Sequence, residues 1–217
     1  MLLMRMATYL FFPNQGLEFQ DVWKALLLGA RYDLRTTAVI MLLILVPGAI
    51  PQLNPFSGTR QRKFWLILLG LISFVFIFLY AIDFAHFSYL NQRLNASVLN
   101  YLADTAISFT MVWESYPLLR LLTIVLLVAF LLSRLVSFSF KRIAAKAGVG
   151  SSRTNIISYV VLILMCGAMI FGRFNQYPLR WSDAFALGND YKANLALNPF
   201  ESLLNSLKFR KTSYDLG

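Results

Sequence analysis

The residues of this chain that could do chemistry are mostly arginines placed beside apolar segments. Arg31 and Arg35 are four residues apart, so on a helix they share one face. Arg173 and Arg180 bracket the point where the last apolar segment ends. Arginine forks match phosphate oxygens, which makes these four residues candidates for binding an anionic lipid headgroup. For Arg31 and Arg35 the sequence alone favours plain interfacial anchoring, because basic residues are common at membrane edges.

A second candidate pair lies at the end of another apolar segment. Asp83 and His86 are three residues apart, and a carboxylate that orients a histidine can make a general base. No nucleophile or metal cluster stands beside them in sequence, so we predict a structural hydrogen bond instead. The chain has one histidine and one cysteine, Cys166, so it cannot build a His/Cys metal site or an internal disulfide. We therefore predict no catalytic residue and no metal ligand.

The composition places these residues in a membrane protein. Hydrophobic residues make up 58% of the 217 positions and charged residues 14%, whereas a soluble domain carries about 25% charged residues. The formal net charge of +10 would suggest nucleic acid for a soluble protein. Here the basic residues gather in loops between apolar segments, which is the pattern of membrane orientation. We therefore expect no nucleic-acid partner.

The apolar segments predict an all-α, polytopic bundle of four to five transmembrane helices. A span needs about 20 apolar residues. Residues 64–82, 118–140 and 156–172 meet this length or approach it. Residues 36–50 form a shorter fourth span, whose helix we expect to begin earlier, within residues 21–35. Arg120 and Arg134 fall near the ends of their span, where long side chains reach the interface. The first dozen residues predict a truncated or half-buried fifth helix.

The charges of the loops predict an orientation. Loops 51–63 and 134–153 contain basic residues and no acid, which places them in the cytoplasm. The loop 83–116 and the tail after Arg173 are then extracytoplasmic. We divide the chain into a transmembrane domain, residues 1–173, and an extracytoplasmic neck, residues 174–217.

The outer segments predict short amphipathic helices at the membrane surface. Residues 13–35 have helical apolar spacing, typical of an interfacial helix that precedes the span. In the neck, Asn198 is a predicted N-cap, followed by Pro199 and by Glu201 in the first turn. Ser182 is the predicted cap of another short helix.

Four segments in order carry a family resemblance. They read GARYDLR, IDFAHFSYLNQRLN, FGRFNQYPLRWSDAF and ALNPFESLLNSLKF. Together they resemble the membrane domain of the lipoteichoic acid synthase family. The closer likeness is to its Gram-negative sulfatase-like or phosphoglycerol-transferase-like members, and it extends from about Gly16 to Phe209.

The resemblance implies a bacterial cytoplasmic (inner) membrane protein with five membrane helices and an extracytoplasmic C-terminus. In the family, a following domain of the alkaline phosphatase superfamily transfers phosphoglycerol or a related headgroup from a phospholipid. That domain uses a threonine nucleophile and a divalent metal such as manganese. No such domain occurs in this sequence, so we expect a fragment or split gene product that is inactive alone.

The implied function is anchoring the enzyme and presenting its lipid substrate. The expected partners are an anionic phospholipid and a separate or fused extracytoplasmic phosphatase-like catalytic domain. An alternative function is a regulatory or scaffolding membrane protein that binds a partner through its outer loops. A small transporter is a third possibility, which flux measurements in vesicles would decide.

The predicted topology places positions 141 and 217 on opposite sides of the membrane. In a Cys166→Ala background, Lys141→Cys should react with a membrane-impermeant maleimide only after the membrane has been permeabilised, because position 141 faces the cytoplasm. Gly217→Cys should react from the extracytoplasmic side. Labelling of both positions from one side contradicts the prediction.

Overall fold

The computed structural model describes residues 1–13, 17, 19–101, 110, 113, 118–146, 152–173 and 176–212. All regular structure in these residues is helical, as the sequence predicts. The elements are α1 Leu2–Phe11, α2 Phe19–Gly48, α3 Thr59–Leu90, α4 Val98–Tyr101, α5 Leu118–Lys146, α6 Ser152–Phe171, a 3₁₀ helix Trp181–Leu187, α7 Asp190–Ala196 and α8 Pro199–Thr212. Most of the predicted outer loop after Tyr101 lies outside the described residues.

Among the described residues, two helices are long and apolar enough to cross a membrane. They are α3, with 32 residues, and the 25-residue stretch Leu119–Ile143 of α5. Only 6% and 11% of their most apolar windows are buried, whereas a core helix of a soluble protein is mostly buried. Large apolar surfaces left uncovered by protein mark contact with a membrane or with another protein. In α6 the apolar stretch Ile156–Phe171 is shorter, as is α1.

The predicted span 36–50 belongs to a longer helix. α2 runs unbroken for 30 residues, or about 45 Å, from Phe19 to Gly48. The prediction that the helix of this span begins earlier, within residues 21–35, agrees with this extent to within two residues, whereas the interpretation of residues 13–35 as a helix lying along the membrane surface is wrong. Nothing between residues 19 and 36 stops a helix, since Gly29 only weakens one, and so the amphipathic segment and the span form one rod.

The long helices pack mainly in two pairs. α3 packs on α5, and α2 packs on α6. Gly70 of α3 lies against α5, where an added Cβ would stand 3.2 Å from Ser133 Oγ. In the other pair, the Tyr159 hydroxyl of α6 donates to the Leu45 carbonyl of α2 at 2.8 Å.

The hydrophobic core lies at one end of these pairs, in a region that we call the cap. The cap comprises α1, residues 19–35 of α2, and residues 172–173 and 176–212, which include the 3₁₀ helix, α7 and α8. Its buried cluster is Val22, Ala25, Leu26, Tyr32, Leu179, Ala184, Ala193, Leu195, Ala196 and Leu197. The predicted neck thus shares its core with the start of α2. The apolar residues of this part of α2 do not all face the core: Val22 and Leu26 are buried, whereas Trp23 and Leu27 are about half exposed.

The helix α8 ties the cap to both helix pairs. The predicted N-cap is confirmed: the Glu201 N–H donates to Asn198 Oδ1 at 2.9 Å. The next ring, Phe200, stacks on Phe76 of α3 with centroids 4.1 Å apart. Asn198 also donates to the Thr36 hydroxyl of α2 at 3.1 Å. The start of α8 therefore contacts α2 on one side and α3 on the other.

The opposite end, which we call the basic end, comprises residues 49–63 and 138–146. The Trp65 indole N–H of α3 donates to the Leu53 carbonyl and closes the turn between α2 and α3. Phe56 in this turn lies 5.8 Å from Phe140 of α5, between ring centroids. Six basic residues lie at this end: Arg60, Arg62, Lys63, Lys141, Arg142 and Lys146.

Gly70 sets the distance between α3 and α5. Gly70→Val should lower the free energy of unfolding by about 1–3 kcal/mol, because extra methyl groups overpack a close helix contact. The control is Gly167→Val in α6, where an added Cβ meets nothing within 4 Å. Thermal unfolding of both variants in phospholipid nanodiscs checks the prediction. Equal stability of the two variants contradicts it.

Candidate functional site: an arginine-lined turn in the cap

The candidate site is the turn that follows α6, from Gly172 to Asp183. The chain reverses at Gly172, whose φ is +69°, a conformation that costs glycine little. The Leu179 N–H then donates to the Phe171 carbonyl at 2.9 Å, which closes the loop on the end of α6. A Cβ at Gly172 would stand 3.0 Å from Leu179 Cβ. Glycine is therefore required by both conformation and space.

Two residues of α2 hold this turn from the side. The Tyr32 hydroxyl donates to the Arg180 carbonyl at 2.6 Å, and Arg35 Nη1 donates to the Leu179 carbonyl at 2.9 Å. Burial raises the pKa of the Tyr32 phenol, and the nearby charge of Asp183 raises it further. Tyr32 is therefore protonated at neutral pH and remains a donor to the turn.

Asp183 organises the two arginines of the turn. Its carboxylate accepts from the Arg180 backbone N–H at 2.7 Å and lies 3.4 Å from Arg173 Nη2. Arg180 is therefore the N-cap position of the 3₁₀ helix, and the prediction of Ser182 as cap is wrong. An ionised carboxylate forms stronger hydrogen bonds than a serine hydroxyl, and it also suits the positive end of a helix.

The four predicted headgroup arginines divide into two classes. Arg35 and Arg173 are partly engaged, since Arg35 Nε also lies 3.6 Å from Glu201. Arg31, one helical turn before Arg35, is exposed and has no hydrogen bond or ion pair to a described residue. Arg180 is also exposed, with its guanidinium 5.4 Å from the Tyr177 ring centroid.

The turn is rich in unused hydrogen-bond donors. Trp181 Nε1 is a buried donor with no partner among the described residues. The guanidinium groups of Arg31 and Arg180 are exposed donors, while two carboxylates, Asp183 and Glu201, offset part of the positive charge of Arg35 and Arg173. Such an arrangement can bind an anion at the edge of the cap, and it has no acid–base pair poised for catalysis.

Below this turn lies a buried ion pair that the sequence analysis missed. Arg5 of α1, 2% exposed, donates to Asp33 Oδ1 of α2 at 2.7 Å and to the Gly29 carbonyl at 2.9 Å. It also donates to the carbonyls of Leu195 and Ala196 in α7. A Cβ at Gly29 would overlap the Arg5 guanidinium. An arginine within an apolar N-terminal helix and a glycine inside α2 were the available signals.

The predicted Asp83–His86 pair is replaced by a different one. Asp83, 1% exposed, binds Arg93 Nη1 at 2.6 Å and the Leu94 N–H at 2.9 Å. His86 Nδ1 instead lies 3.0 Å from the Gln92 carbonyl. The chain reverses after α3 and brings the Arg93 guanidinium to Asp83, where its charge-assisted hydrogen bond replaces the predicted bond to the His86 imidazole.

Arg93 extends this ion pair into the cap. Its Nε donates to the Asn194 carbonyl of α7 at 2.8 Å, and its guanidinium lies 5.3 Å from the Phe87 ring centroid. The pair therefore joins α3 to α7, which is a structural role. Within the described ranges, no three His, Cys, Asp or Glu side chains come close enough to hold a metal ion.

Comparisons with known proteins give no family assignment. No protein-family model matches the chain, and no curated protein or solved structure is similar to it. The candidate site therefore rests on its own geometry, in which Arg35, Arg173 and Arg180 meet at one turn beside the exposed Arg31.

The Arg5–Asp33 pair should dominate the stability of the cap. Arg5→Met should cost about 3–5 kcal/mol, because it leaves the Asp33 carboxylate buried without its counter-charge. Adding Asp33→Asn should restore part of that loss, since the remaining side chain is neutral. Chemical unfolding followed by tryptophan fluorescence measures both variants. A single Arg5→Met variant as stable as the parent protein contradicts the prediction.

Proposed function

We propose that this chain is the membrane domain of an envelope phosphotransferase of the lipoteichoic acid synthase type, which presents an anionic phospholipid to catalytic machinery located elsewhere. The role is anchoring and substrate presentation. The catalytic step, with its nucleophile and divalent metal, belongs to a phosphatase-like domain, fused or separate. The chain alone should turn over no headgroup ester.

The proposed topology has four crossings, α2, α3, α5 and α6, with α1 as a partial fifth helix in the cap. The apolar, uncovered surfaces of α3 and α5 support this arrangement. The basic end then faces the cytoplasm of a bacterium, following the positive-inside rule. The cap, with its arginine-lined turn, faces the extracytoplasmic side of the cytoplasmic membrane.

One observation carries the proposal: basic residues distant in sequence converge where the proposed crossings leave the outer leaflet. Arg35 of α2 donates to the Leu179 carbonyl of the turn between Gly172 and Asp183, and Arg180 is part of that turn. The exposed Arg31 and Arg180 offer forked donors, and the pairing of guanidinium with phosphate is bidentate and charge-assisted. A phospholipid headgroup is the abundant anion at that level.

The lipid site can be tested with variants that leave the turn intact. Arg35 supports the turn through the Leu179 carbonyl. A loss of lipid binding in an Arg35 variant could therefore come from a distorted turn and would not report on the headgroup contact alone. Arg31→Ala combined with Arg180→Ala removes the two exposed guanidinium groups. We expect this variant to bind phosphatidylglycerol roughly tenfold more weakly, because hydrogen bonds to charged groups are worth about 1.5–3 kcal/mol. Native mass spectrometry in detergent measures the retained lipid.

The matched control removes two exposed cations at the other end of the molecule. Arg60→Ala combined with Lys63→Ala changes the net charge equally and should keep the binding at the cap. Phosphatidylcholine should bind the parent protein more weakly than phosphatidylglycerol. If the Arg31 and Arg180 variant retains phosphatidylglycerol like the control, the proposed headgroup site is wrong.

A further inference from the structure

A cation lies within the apolar part of α5, on its uncovered surface. Arg134 is exposed, and its guanidinium lies 5.1 Å from the centroid of Phe130, one turn nearer the cap. The sequence interpretation placed Arg134 near the end of its span, with its side chain reaching the interface. The structure instead folds the side chain back towards the start of the helix, the direction that helical side chains prefer.

The depth of this guanidinium follows from the packing of α5 on α3. Lys63 and Asp83 bound the charge-free part of α3 and are 20 residues apart, or about 30 Å. Gly70, about 10 Å from Lys63 along the axis, faces Ser133 of α5. Phe130 is about 4.5 Å further towards the cap. The Arg134 guanidinium therefore lies near the middle of the apolar segment.

An isolated charge at that depth is costly and needs a counter-ion. The chain cannot provide one locally, because residues 36–82 and 118–153 contain no Asp or Glu. A second copy of the chain could not supply a carboxylate from these residues either, because its sequence is the same. The anion that the bilayer itself supplies is the phosphate of a phospholipid.

A second arginine completes the arrangement two turns nearer the basic end. Arg142 is exposed, with its guanidinium 4.5 Å from the Phe138 ring centroid. Phe130, Arg134, Phe138 and Arg142 follow one another at intervals of four, so they form a gently winding strip on α5. A phosphate at the level of Phe138 would be about 6 Å along the axis from each arginine Cα. The Arg142 guanidinium already lies at that level, against Phe138. The Arg134 guanidinium reaches it by leaving the Phe130 ring and turning towards the basic end.

We propose that this strip binds the phosphate of an anionic phospholipid from the leaflet at the basic end, held between Arg134 and Arg142. The exposed rings of Phe130 and Phe138 pack against its acyl chains. Lys141, exposed on the adjoining surface, adds positive charge. The proposal rests on the membrane insertion that the proposed function also requires, but it does not involve the arginines of the cap.

Photo-crosslinking in liposomes tests the site. The probe is phosphatidylglycerol with a photoreactive headgroup, and crosslinked peptides are mapped by mass spectrometry. The parent protein should be labelled in residues 130–146, and Arg134→Ala with Arg142→Ala should reduce that labelling about thirty-fold. Each basic residue near an anionic surface contributes about a factor of five. Arg134→Lys with Arg142→Lys keeps both charges and should retain most of the labelling, even if the alanine variant folds poorly.

The cap variant is the control that separates the two proposals. Arg31→Ala with Arg180→Ala removes the same charge and should leave labelling of α5 unchanged, while it lowers labelling of the cap. A photoreactive phosphatidylcholine should label α5 of the parent protein far less. Equal labelling of α5 by the two lipids, or loss of labelling in the lysine variant equal to that in the alanine variant, overturns the proposal.

Discussion

The buried contact between Arg5 and Asp33 is the constraint on which the cap depends. One guanidinium group satisfies a carboxylate in α2 and backbone carbonyls in α2 and α7. Asp33 in turn accepts from Asn198, the residue that starts α8. An ion pair without water is favourable only when further hydrogen bonds complete it. Four helices are therefore fixed in place by the need to satisfy one buried cation.

The arginine-lined turn derives its position from this arrangement. Because the ion pair fixes α7 and α8 against α2, Leu179 can fill the core between them, and its carbonyl meets Arg35. The second ion pair, between Asp83 and Arg93, fixes the end of α3 against the cap, because Arg93 also donates to the Asn194 carbonyl of α7. The two ion pairs thus fix the elements of the cap against one another and set the position of the arginines at its rim.

The apolar helices and the N-cap residue of α8 could be predicted from the sequence because those features are local. Uninterrupted apolar segments and the Asn198–Pro199 start depend on neighbours in the chain. The sequence did not predict the side-chain pairs in which a residue distant along the chain takes the place of a near neighbour. Arg93 displaces His86 from Asp83, and Arg5 is paired with a residue 28 positions away. The convergence of three arginines on one turn likewise depends on tertiary packing.

The separation of the packed core from the uncovered apolar helices has a consequence for solubilisation if those helices are inserted in the membrane as proposed. The core residues Val22, Leu179 and Leu195 are enclosed by protein on all sides, whereas α5 and α6 each rest mainly on one neighbour and otherwise meet solvent or lipid. Extraction into a harsh detergent would loosen α5 and α6 first. Slow amide exchange would persist longest around the enclosed core. A detergent sample can therefore keep a folded cap after α5 and α6 have separated from their neighbours.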